Sequence, residues 1–132
     1  MHYDYRCPKC HGYIRVGDHV ILSAKNQGFP GGLVLLHPEP GNYTVATHPS
    51  FTYKKGDLVE FYCPVCHHNL DSTKHMNLAM VVMTDETGQD YDIYFSKVAG
   101  EHSTLKMIGE HMELFGAQSG EYLDFFSLSQ NY

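Results

Sequence analysis

No apolar run in this chain of 132 residues approaches the ~18 residues that a membrane-spanning helix needs, so no such helix is expected. The opening residues, Met1-His2-Tyr3-Asp4-Tyr5-Arg6, hold no apolar stretch. A secretory signal is therefore not expected, and the chain reads as cytoplasmic. Basic clusters are also lacking. The only adjacent basic pair is Lys54-Lys55, and the formal net charge is -6. Neutralised phosphates supply most nonspecific affinity for nucleic acid, so this balance counts against a general DNA or RNA binder. Several catalytic signatures are missing too. No Gly-x-Ser-x-Gly elbow occurs, and Gly28, Gly31 and Gly32 lead into no phosphate-loop Gly-Lys-Ser/Thr. The acids Asp85, Glu86, Asp90 and Asp92 fail the spacing of a calcium-binding loop and read as a solvated hairpin. No residue is nominated as catalytic.

What is present points to β structure. Apolar residues make up 42% and charged residues only 18%, with ten Tyr and seven Phe, a balance that reads as globular and leans towards strands. The length fits one domain, long enough to bury roughly two-thirds of its unfolded surface. Residues 12–18 and 19–24 read as a hairpin around a Gly-Asp turn. Residues 25–32 are rich in Gly and Asn and read as loop. Short strands are expected over 33–36, 43–47 and 58–62, with Pro38, Pro40 and Pro49 outside them or at their edges. Further strands are expected over 78–84, 91–98, 103–108 and 111–115, joined as a C-terminal meander. Ser119 is a candidate N-cap for a short terminal helix over 119–126, packed through Tyr122, Leu123, Phe125 and Phe126.

All four cysteines fall in two pairs of identical spacing, Cys7-Pro8-Lys9-Cys10 and Cys63-Pro64-Val65-Cys66. Two residues between cysteines let a tight turn aim both sulfurs at one ion, and two such turns supply a closed tetrahedral set. In a chain expected to stay in a reducing compartment, such pairs read as metal ligands rather than disulfides. A thiol-disulfide catalyst would need one pair at a helix start in a βαβ setting, and both pairs here lie among strand signals.

Each Cys-Pro-x-Cys turn resembles the knuckle of zinc-ribbon and rubredoxin-like proteins. The resemblance covers the two knuckles and their flanking strands. It implies one metal held between hairpin tips by Cys7, Cys10, Cys63 and Cys66. Two departures stand out. The family usually has Gly after the second Cys, where φ is positive, and this chain has His11 and His67. Histidine tolerates that region better than most side chains. The knuckles are also far apart, so residues 11–62 must carry strands of their own in an elaborated ribbon. Zinc is preferred over iron, because nothing else in the chain points to electron transfer.

The expectation is a single, mostly β domain over 1–132, with a metal-knuckle subdomain over 1–70 and a meander over 71–132. Its zinc is structural, and its surface serves interaction, with protein as the expected partner. Rubredoxin-like electron carriage and zinc-ribbon nucleic-acid binding are the alternatives. The cluster His67, His68 and His75 raises a second metal site or a general base, but surface packing is the blander account, since no His-x-x-x-His pair occurs. The segment 25–56 has no assigned role.

Overall fold

The computed structural model describes residues 3–26, 31–49, 51, 54–109, 111–117, 120 and 122. These form two antiparallel sheets that face one another across one main core. The first sheet has the order β1-β7-β8-β9-β10, with β1 Asp4–Arg6, β7 Leu78–Thr84, β8 Asp90–Ser96, β9 Thr104–Ile108 and β10 His111–Phe115. The second has the order β2-β3-β4-β5, with β2 Arg15–Val16, β3 His19–Asn26, β4 Gly32–Leu36 and β5 Val45–Thr47. A further strand, β6 Val59–Tyr62, also pairs with β3.

The strands form where alternation gives each a face to bury. In β3, Val20, Leu22, Ala24 and Asn26 are buried and the residues between them are not. Across the core, Ala79, Val81 and Met83 of β7 join Ile93 of β8 in the same cluster. Successive strand side chains point to opposite faces, so Leu78 of β7, Tyr94 of β8 and Leu105 of β9 pack on the outer side of that sheet, under Tyr122.

The mostly β single domain and the C-terminal meander are as the sequence leads one to expect. Residues 78–84 form a strand with those bounds, and β8, β9 and β10 follow as neighbours. Two features differ from the reading. The strand expected over 12–18 shrinks to Arg15–Val16, because β2 and β6 share one edge of β3: Arg15 and Val16 pair with Val20 and His19, while β6 pairs with Ser23 to Asn26. The other is β1, which the sequence did not suggest. It pairs with β7 in the register Tyr5↔Met83 and carries the first knuckle onto the meander sheet. The segment 25–56 supplies the end of β3 and all of β4 and β5, so it builds much of the second sheet. The helix expected over 119–126 lies outside the described residues except for Gly120 and Tyr122. Among the described residues, no helix is long and apolar enough to cross a membrane.

Candidate metal centre

Each knuckle is a turn whose hydrogen bonds are fixed by its own backbone. In the first, His11 N donates to Cys7 O at 3.0 Å and Cys7 N donates to Gly12 O at 3.1 Å. In the second, His67 N donates to Cys63 O at 2.9 Å and Cys63 N donates to His68 O at 3.0 Å. The match extends to the sulfurs. Lys9 N and Cys10 N point at Cys7 Sγ at 3.3 and 3.5 Å. Val65 N and Cys66 N point at Cys63 Sγ at 3.3 and 3.4 Å. Gly12 N donates to Cys10 Sγ at 3.3 Å, and the His68 N–H serves Cys66 in the same way.

The residue after each second cysteine makes this possible. His11 and His67 have φ of 62° and 66°, which turns the next N–H back towards sulfur. They take the positive φ that the knuckle demands, without being glycine. Gly12 has a separate constraint: a Cβ there would lie 3.3 Å from Cys10 Sγ and 3.5 Å from the Val65 side chain.

The strands then bring the two knuckles face to face. β1 delivers the first and β6 the second, and Tyr62 and Arg6 continue into short bridges with Asn69 and Tyr13 that close each tip. Cys7 Sγ lies 3.8 Å from Cys66 Sγ, and Cys10 Sγ lies 3.8 Å from Cys63 Sγ. The four ligand atoms all lie within 4.8 Å of one another. The edge of a sulfur tetrahedron with metal–sulfur bonds of ~2.3 Å is about 3.8 Å. A disulfide would need ~2.05 Å, and all four cysteines are free. Cys7 and Cys63 are buried and Cys10 and Cys66 exposed, so the cluster sits at the surface with one sulfur of each pair turned inward.

The electrostatics fit a cation. Burial pushes the Cys7 thiol up to about 12, against the pull of the Cys10 and Lys9 N–H groups. The Gly12 N–H pulls the Cys10 thiol down, but burial and the sulfurs of Cys66 and Cys63 leave it raised. Cys66 is lowered, chiefly by the His68 N–H. Four thiolates cannot share so small a space without positive charge between them. The N–H donors are arranged for sulfur that carries charge, and thiolate donors of this kind select soft or borderline metals.

The structure does not gather the histidines. His67 and His68 are exposed beside the second knuckle. His75 instead accepts a hydrogen bond from Asn77 N at 2.9 Å and meets the edge of the Tyr122 ring at 4.9 Å. Among the described residues, the four cysteines are the one group placed to hold a metal ion.

Spacing gave no sign of Lys97. Its side chain is 2% exposed, and its ammonium lies 3.0 Å from Glu60 Oε1 and against Asp71 Oδ1. Burial pulls its pKa down, but Asp71 and Glu60 outweigh burial and leave it raised. This ion cluster ties β6 and the segment after the second knuckle to the end of β8.

Comparison with protein-family models, with curated proteins and with solved structures found no match. The centre therefore stands on its geometry: a four-cysteine site suited to a metal ion in a mostly β domain.

Proposed function

We propose that Cys7, Cys10, Cys63 and Cys66 hold one zinc ion as a structural staple, in a module that works by binding another protein. The observation that carries the metal reading is the pair of 3.8 Å sulfur contacts between knuckles. Four protein ligands close a tetrahedral site and leave no position for substrate, so this zinc holds structure and does no chemistry. Its bond energy is spent on bringing β1 and β6 together at one point.

The interaction reading rests on the surface beside the staple. Tyr13 is 66% exposed and Val65 60% exposed, and Val65 lies against Gly12. Apolar side chains held rigidly on two hydrogen-bonded turns suit a protein partner, for which Tyr is favoured. The net charge of -6 argues against a phosphate backbone as that partner.

Elemental analysis of protein purified without added metal tests the staple. One zinc per chain is expected. Iron, with visible thiolate absorption, would return the rubredoxin-like alternative, and absence of metal would sink both. For the interaction, the doubly substituted Tyr13→Ser, Val65→Glu protein should keep its metal and lose a partner that the parent retains. Retention of that partner by the double variant would exclude this surface.

A further inference from the structure

Between the two sheets lies a cavity of about 380 Å³. Folded cores hold few voids larger than a water molecule, and small-molecule sites span ~300–1,000 Å³. Its apolar walls come from both sheets: Leu22, Val34 and Phe61 on one side, and Val81, Ile93 and Phe95 on the other. It opens under the loop of residues 37–44, beside the loop of residues 99–103.

The mouth is built and not collapsed. Tyr43 Oη bonds Thr104 Oγ1 at 2.8 Å and donates to Phe115 O at 3.1 Å. Its ring stacks on His102 at 4.3 Å, with 4° between planes. Tyr5 adds a hydrogen bond from its hydroxyl to Pro38 O. The loop from the second sheet is thus pinned to the first on both flanks of the opening.

The lining also tells what it would take. Its charged side chains are Glu39, Glu101 and Lys97, with His37 and His102 beside them. The Lys97 ammonium is already held by Glu60 and Asp71, His37 Nδ1 accepts from Glu39 N at 3.0 Å, and His102 stacks on Tyr43. Among the described lining residues, no lysine or arginine is left free for an anionic ligand. Ser103 lines the cavity and is fully buried, and its Oγ has no hydrogen-bond partner among the described residues. A buried hydroxyl without a partner is destabilising, and a ligand group that reaches it recovers the loss.

We propose that this cavity is a binding site for a small, uncharged apolar molecule bearing one hydroxyl or carbonyl, which bonds Ser103. The apolar body fills the gap between the sheets, and the polar group lies towards the β8–β9 loop. The site does not depend on which metal the cysteines hold.

The test is an NMR titration of the ¹⁵N-labelled full chain, as purified with its metal, using 2-naphthol, with 2-naphthoate as the charged control. The expected result is saturable one-to-one binding of naphthol, with shifts centred on Leu22, Val34, Val81 and Ser103. Naphthoate should bind at least about tenfold more weakly, since it would face Glu39 and Glu101 without a cation. Ser103→Ala should weaken naphthol by roughly fivefold and should raise the melting temperature of the free protein, because the unpaired hydroxyl is gone. The proposal is overturned if naphthol does not saturate, if its shifts fall outside the sheet interface, or if naphthoate binds as well. An unchanged naphthol affinity in Ser103→Ala also overturns it.

Discussion

His11 and His67 sit in backbone conformations that side chains with a Cβ avoid, with φ of 62° and 66°. That region costs such a residue ~1–2 kcal/mol. Glycine avoids that cost, but its greater freedom in the unfolded chain offsets ~0.5–1 kcal/mol of the benefit. We expect His11→Gly and His67→Gly each to stabilise the protein by ~0.5 kcal/mol, and His67→Val to destabilise it by ~1 kcal/mol. Urea unfolding of the metal-loaded protein measures both signs. Lys97 makes the second residue-scale case. Lys97→Met leaves Glu60 and Asp71 facing each other without their cation. Removing one member of a fully buried cluster costs ~3–5 kcal/mol. Here the carboxylates are 33% and 47% exposed, and water moderates the loss to about 2 kcal/mol. The sign with pH follows from the raised Lys97 pKa. Its stabilisation is complete below the ordinary value of 10.5 and fades only as pH rises through the higher folded value. Parent and variant should therefore differ by the same amount at pH 7 and pH 9 in denaturant unfolding.

At the scale of elements, what could be read in advance depended on how local each signal is. β7 was legible to the residue, because Leu78 to Thr84 is an unbroken apolar and β-branched run with turn residues after it. The four-cysteine cluster was legible for the same reason, since each knuckle is set by a four-residue spacing. β1 was not. Asp4-Tyr5-Arg6 is too short to show alternation, and only its distant partner β7 makes it a strand. The cavity and the Lys97 cluster are invisible for the same reason: each joins segments far apart in the chain. The β7–β8 hairpin is a local device with a testable pH response. Asp85 accepts from Thr87 N at 2.9 Å, Thr87 Oγ1 at 2.7 Å and Gln89 N at 3.0 Å, while Gly88 supplies φ of 88°. The Thr87 hydroxyl, with the Gln89 and Thr87 N–H groups, lowers the Asp85 carboxyl below its ordinary 3.8. A depressed carboxyl contributes stability that is present above its unfolded value and lost as pH falls through the folded one. The melting temperature of Asp85→Ala should lie below the parent's at pH 7. The two should converge as pH drops beneath the folded value, and a constant gap down to pH 2 would refute the turn's role.

For the whole molecule, the question is how far the staple supports the rest. A metal held by the four clustered cysteines would close the chain between Cys10 and Cys63, and the entropy of that closure grows only as (3/2)RT ln n. A structural zinc supplies an apparent ~10–16 kcal/mol in small zinc peptides, against a total stability of ~5–15 kcal/mol for an ordinary domain. Loss of one ligand is therefore felt well beyond its own turn. The route is set by topology. β1 reaches the meander through three pairs with β7 and the exposed Arg6–Asp90 ion pair, and β2 holds β3 through two pairs. These short contacts flank the first knuckle and should open when it does. β7, β8 and β9 pair along their lengths and bury Leu78, Tyr94 and Leu105 beneath Tyr122, in a cluster apart from the one that includes Cys7 and Cys63. Cys63→Ser should thus raise amide exchange by more than about tenfold in residues 4–16 and 61–70. The amides of β7 and β8 should stay the most protected in the chain. Hydrogen exchange resolved by segment reads this directly. Unchanged protection around both knuckles would mean that the sheets hold the cysteines together without a metal. Uniform loss across β7 and β8 would mean that the staple and the sheets form one cooperative unit.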